Sequence, residues 1–137
     1  MMRAAILVLM LALSPSLASE GVDRDAARAV IARQQEAFRR DDAAAAYAEA
    51  APAIKELFGS PDRFVGMVRE GYAPVYRNRS FAFDGDEELA GGGLAQRVRI
   101  QDLDGTDWIA LYTLEREPDG SWKITGCRLL KAPGVTA

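Results

Sequence analysis

The 137-residue chain has no histidine and one cysteine, Cys127. Without histidine, the commonest general base, the usual nucleophilic triads and most zinc or iron sites are excluded together. A single thiol cannot close an intrachain disulfide, and its ordinary place is that of a small buried apolar residue. Aromatics are sparse, at 8% with two tryptophans. An excess of one charge is lacking too, since 17 basic and 20 acidic residues leave a net −3. Neither a basic footprint for nucleic acid nor a polybasic run for anionic membrane follows from that balance. No apolar run reaches the roughly 20 residues of a membrane span.

The longest apolar run, Ala4 to Leu13, follows Arg3 and precedes Ser16-Leu17-Ala18. A basic start, an apolar stretch of about ten residues and a small-x-small site form the pattern of a cleaved export signal. Residues 1–18 are therefore expected to be a signal peptide, and 19–137 a single domain that is periplasmic or secreted. No cysteine follows the signal to accept a lipid. Loss of Arg3 takes the formal charge from −3 to about −4. A domain of this length buries roughly 65% of its unfolded surface and needs no staple.

The first half reads as helix. Asp23 and Asp25 precede Ala27, Val30, Ile31, Gln34 and Phe38 at helical spacing, and Arg39-Arg40 suit the negative end of the dipole. Asp41-Asp42 open an alanine-rich helix containing Tyr47, which Pro52 ends or kinks. Ile54, Leu57 and Phe58 resume a buried stripe up to Gly59. Ser60-Pro61-Asp62 starts another helix, with Phe64, Met67 and Val68 inward and Gly71 at its end. The alanines of 43–51 imply close helix packing rather than a ligand-lining face. Tyr72 to Arg77 should leave helix, because Pro74 pushes Ala73 toward extended geometry.

The second half reads as antiparallel sheet. Phe81 and Phe83 begin a strand that continues weakly to Leu89, and Gly91-Gly92 turns the chain. With no strand-to-helix step after it, the glycine run is no phosphate loop. Pro118-Asp119-Gly120 and Leu103-Asp104-Gly105 each fit a three-residue hairpin loop. That register pairs Leu94 with Leu114, Gln96 with Tyr112, Val98 with Ala110 and Ile100 with Trp108. It also pairs Leu114 with Ile124, Tyr112 with Gly126, Ala110 with Arg128, and Glu115 with Lys123 as an ion pair. A two-residue Gly91-Gly92 turn sets Leu89 beside Leu94 and Phe83 beside Ile100. The helix-facing side then holds Phe81, Phe83, Leu89, Leu94, Val98, Ile100, Trp108, Leu114, Trp122 and Ile124. Ile109, Leu111, Cys127 and Leu129 cluster on the outer face beside Arg97, Arg99 and Thr113, as the expected interface of a homodimer.

Little catalytic chemistry remains. Asp102 to Asp107 resembles a calcium loop only superficially, since its glycine is at position four and its twelfth residue is Thr113. No metal or other cofactor is expected. The polar members of the apolar face are Gln96, Tyr112 and Arg128, joined by Tyr72, Tyr76 and Arg77 from the entry loop. Two readings stand open. In one, Gln96 bonds Tyr112 across the strands and Arg128 reaches the rim; in the other, these residues form a ligand pocket with a mouth suited to a small anion.

Helices followed by a curved sheet of about four strands, ending in Asp119-Gly120-Ser121-Trp122-Lys123-Ile124, resemble the NTF2-like, cystatin-type α+β cone. The chain is more similar still to a bacterial family of exported proteins called domain of unknown function 4864. Gln35-Glu36-Ala37-Phe38, Asp41-Asp42, Phe58-Gly59, Phe64, Met67-Val68 and Tyr112-Thr113-Leu114 carry that resemblance, with Gly71-Tyr72-Ala73-Pro74-Val75-Tyr76-Arg77 its most distinctive stretch. The resemblance covers nearly all of the mature chain and implies no activity. Some NTF2-like enzymes are isomerases or dehydratases with an acid or histidine inside the cone. The three best-defined strands aim no Asp or Glu inward here. The expected function is thus a non-catalytic module for a small ligand or a protein partner, the alternative being such an enzyme working through tyrosine and arginine.

Overall fold

A computed structural model describes residues 23–133. The expected signal peptide lies outside that range. Five helices come first: α1 (Arg24–Arg39), α2 (Ala43–Ala48), α3 (Pro52–Phe58), α4 (Pro61–Gly71) and α5 (Ala73–Tyr76). Four strands follow: β1 (Ser80–Glu88), β2 (Leu94–Gln101), β3 (Asp107–Arg116) and β4 (Trp122–Lys131). All neighbours are antiparallel, in the order β1-β2-β3-β4. The fold is α+β, with helices on one face of an open sheet.

Helix boundaries follow local chemistry. The Asp23, Asp42 and Ser60 side chains accept from Ala26, Ala45 and Arg63 N–H groups, satisfying first-turn donors. α1 closes with Asp42 N–H on the Ala37 carbonyl and Asp41 N–H on that of Phe38, the six-to-one and five-to-two bonds of a Schellman cap. Asp41 occupies the left-handed position, at φ 54°, where aspartate is tolerated better than most side chains. Pro74 does not abolish helix as expected. It sits in the first turn of α5, where its missing N–H costs nothing, so only Tyr72 separates α4 from α5. Leu57, expected inward, is 76% exposed.

The core lies between α1 and the sheet: Ile31, Phe38, Leu94, Val98, Ile100, Tyr112 and Leu114 are each at most 2% exposed. Both expected hairpin loops form, with Asp102 N–H on Thr106 O and Glu117 N–H on Ser121 O. The β2–β3 pairing is the one expected from sequence, residue for residue. The β3–β4 pairing agrees from the loop to Leu114 opposite Ile124, and then shifts by one. Thr125 is an extra residue, and Gly126, Cys127 and Leu129 come opposite Thr113, Tyr112 and Ala110. A one-residue slip exchanges the faces of everything beyond it. Cys127 and Leu129 therefore pack against the core, while Arg128 is exposed.

A second bulge corrects β1. Asp84 and Gly85 together oppose Arg97, so that Phe83 pairs with Val98 and Asp86 with Gln96. The turn has three residues rather than two, because Leu89 N–H bonds Gly93 O. Leu89 is thereby carried out of the inner face and is 39% exposed. Lys123 lies opposite Glu115 as expected, but its ammonium donates to the Ala48 carbonyl at 3.0 Å.

Candidate functional site

The residues between α2 and α3 extend the sheet rather than merely linking helices. Ile124 N–H donates to Glu49 O at 3.0 Å, and Ala51 N–H to Ile124 O at 2.8 Å. This short parallel bridge pins one end of β4 and leaves the bulged part beyond it facing a hollow under the helices. The hollow is a cavity of about 270 Å³. Its walls come from α1 (Gln34, Phe38), Ala50, α3 (Ile54, Phe58), α4 (Phe64, Met67, Val68), Tyr72, Val75, Tyr112 and the β4 run Ile124 to Cys127. Phe64 is the centre of an aromatic cluster, 5.7 Å from Tyr47, 5.8 Å from Phe58 and 6.3 Å from Phe38 between ring centroids. Ala50, from the alanine segment expected to pack closely against helix, lines this cavity.

Among the described residues, no Asp, Glu, Lys or Arg lines this cavity. Its polar groups are few and mostly committed. Gln34, 4% exposed, donates its amide to Ala46 O at 3.1 Å. The Thr125 hydroxyl donates to Thr113 Oγ1 at 2.9 Å. The bulge brings Tyr112 and Cys127 opposite each other. Burial pushes the Cys127 thiol up to about 12. Burial likewise holds the Tyr112 hydroxyl well above the ordinary phenol range. Both stay protonated at neutral pH, so neither is poised as a nucleophile or base.

The six polar residues singled out from sequence do not form one site. Tyr72 and Tyr112 share the cavity. Arg128 points away from it on the outer face, through the β4 bulge. Gln96 is fully buried but bonds elsewhere, and not to Tyr112. Its amide donates to Asp84 O at 2.9 Å, Gly85 O at 3.3 Å and Arg97 O at 2.8 Å. Its oxygen accepts from Arg28 Nε at 2.9 Å. Gln96 is thus the plug of the β1 bulge, and Arg28 also reaches Asp84 O and Asp86.

Tyr76 and Arg77 are committed to the end of α1. The Tyr76 hydroxyl donates to Asp41, Arg77 reaches the same carboxylate at 2.8 Å, and a second Arg77 nitrogen bonds Phe38 O. The Arg77 and Arg69 guanidinium groups both approach the Tyr76 ring, at 4.5 Å and 5.0 Å from its centroid. Hydrogen bonds from Tyr76 and then Arg77 hold the Asp41 carboxyl below its usual value. These residues border a wider surface cleft that also includes Asp102, Asp104 and Trp108. Asp102 organises its hairpin loop there, accepting from Asp104 and Thr106 N–H and from Trp108 Nε1 at 2.9 Å.

The expected dimer face is split as well. Ile109 and Leu111 remain outward and are joined by Leu130, opposite Ile109, while Cys127 and Leu129 face the core. Arg97 and Arg128 flank Leu111, and Arg99 flanks Ile109.

Sequence reasoning missed Gln34, Ala50, Thr125 and Gly126 as cavity residues. A signal for the last two was present: glycine inside a strand marks a bulge or a close approach. A Cβ on Gly126 would lie 3.0 Å from Thr113 Oγ1. The family model described as Domain of unknown function (DUF4864) matches residues 21–137. No curated protein and no solved structure matches the chain.

Proposed function

This chain belongs to the DUF4864 family, and we infer that it is an exported, non-catalytic module that holds a small, largely apolar molecule between its helices and sheet. The observation that carries this reading is the cavity of about 270 Å³ beside the β4 bulge, walled mainly by apolar side chains and, among the described residues, free of Asp, Glu, Lys and Arg. Ligand sites are typically preformed apolar hollows with a few placed polar groups, and bulges are enriched beside such sites. Export rests on the basic, apolar and small-residue pattern of residues 1–18. The NTF2-like cone that the sequence resembles is compatible with a pocket in this position.

Catalysis of the isomerase or dehydratase kind needs a group that takes and returns a proton near the working pH. Tyr112 and Cys127 are held protonated, and among the described residues no carboxylate lines the cavity. Propylbenzene tests the binding reading. Two-dimensional NMR should show saturable shifts at Phe58, Met67 and Tyr112, and Met67→Trp, which fills the hollow, should abolish them without unfolding the chain. No shift in the wild-type protein at the solubility limit of the probe would overturn it.

A further inference from the structure

Resting on that binding site, the donor and acceptor inventory of the cavity wall narrows what can occupy it. We infer that the ligand is an uncharged molecule of about ten heavy atoms carrying a hydrogen-bond donor, a hydroxyl or N–H, on an otherwise apolar body. Size follows from volume: a cavity of roughly 150 Å³ takes up benzene, and this one is about 270 Å³.

The donor follows from which polar atoms are spent. Gln34 uses its amide nitrogen on Ala46 O, while its Oε1 accepts no hydrogen bond among the described residues. The Tyr112 hydroxyl can donate or accept and does not discriminate. Thr125 spends its hydroxyl hydrogen on Thr113. The group fixed as an acceptor is therefore Gln34 Oε1, with the Cys127 S–H a weak donor nearby. Tyr72, half-buried, can donate or accept and does not discriminate. A ligand bringing only acceptors would leave Gln34 Oε1 desolvated without a partner, which costs more than a missing bond at a wet surface. A charged ligand would lose its hydration against a wall with no countercharge.

The test compares four probes by calorimetry or NMR titration: propylbenzene, para-propylphenol, para-propylanisole and para-propylbenzoate. The phenol should bind about tenfold more tightly than its methyl ether, the usual order for one well-placed hydrogen bond. The benzoate should bind at least a hundredfold more weakly than the phenol. Gln34→Met should bring phenol and ether to within about twofold of each other, and the wild-type ratio stands as the test if that variant does not fold. Ether and phenol binding alike in the wild type would overturn the donor assignment, and a tightly bound benzoate would overturn neutrality. Failure of all four, propylbenzene included, would instead overturn the binding site itself.

Discussion

Gln96→Leu separates a structural role from a ligand-binding one. The side chain is fully buried and makes bonds to Asp84 O, Arg97 O and Arg28 Nε between 2.8 and 2.9 Å. Leucine has similar volume and offers no polar atom, so three carbonyls, that of Gly85 held only at 3.3 Å, and one guanidinium N–H lose a partner in a part-buried place. At about 1 kcal/mol net for each bond, with Arg28 keeping Asp84 O and Asp86 as partial compensation, the expected loss is about 2–3 kcal/mol. For a domain of this length that is a fall in Tm of roughly 8–12 °C. Urea unfolding should show a lower midpoint at unchanged slope. Propylbenzene affinity should stay within twofold of wild type, because Gln96 does not line the cavity. A variant of wild-type stability that had lost the probe would refute the reasoning on both counts.

Three further outcomes follow from single groups. Asp41→Asn keeps the left-handed cap but removes the charge that Tyr76, Arg77 and Arg69 contact. Because the Asp41 carboxyl is depressed in the folded state, its contribution is complete above its unfolded value and lost as pH falls through the folded one. Wild type should therefore exceed the variant in urea midpoint above about pH 5 and converge with it in acid; a constant gap down to strong acid would count against this assignment. Cys127, partly buried and with a thiol raised to about 12, should react with Ellman's reagent at pH 8 far more slowly than a free cysteine. Prompt labelling of the folded protein would contradict its burial. Gly126→Ala should lose about 1 kcal/mol through overpacking against Thr113, and Thr113→Ala should restore most of it. Equal stability of Gly126→Ala and wild type would show that the bulge has slack.

Local patterns settled a large part of this fold in advance. Asp23, Asp42 and Ser60 cap helices because their short oxygens reach the nearest free N–H groups, which needs no information from the rest of the chain. Pro118-Asp119-Gly120 and Leu103-Asp104-Gly105 determine loop length through backbone conformations that glycine alone adopts cheaply, and loop length sets register next to the loop. Hence Leu94 opposite Leu114, and Leu114 opposite Ile124, were legible from the residues alone. The signal of apolar alternation likewise placed Val98, Ile100 and Trp122 inward.

The tertiary structure decided what lay beyond the first irregularity. A bulge is stabilised by contacts from elsewhere: Gln96 and Arg28 hold the one at Asp84-Gly85, and Thr113 with the Glu49–Ala51 bridge brackets the one at Thr125. Side-chain direction alternates along a strand, so each extra residue reverses every later assignment. That single effect moved Leu89 and Arg128 outward and Cys127 inward, and it placed Cys127 against Tyr112. The composition, with no histidine and one cysteine, had already limited the chemistry. Only the packing of α1, α3 and α4 over the bulged strand created the cavity, because a hollow belongs to the space between elements and has no residue of its own in the sequence.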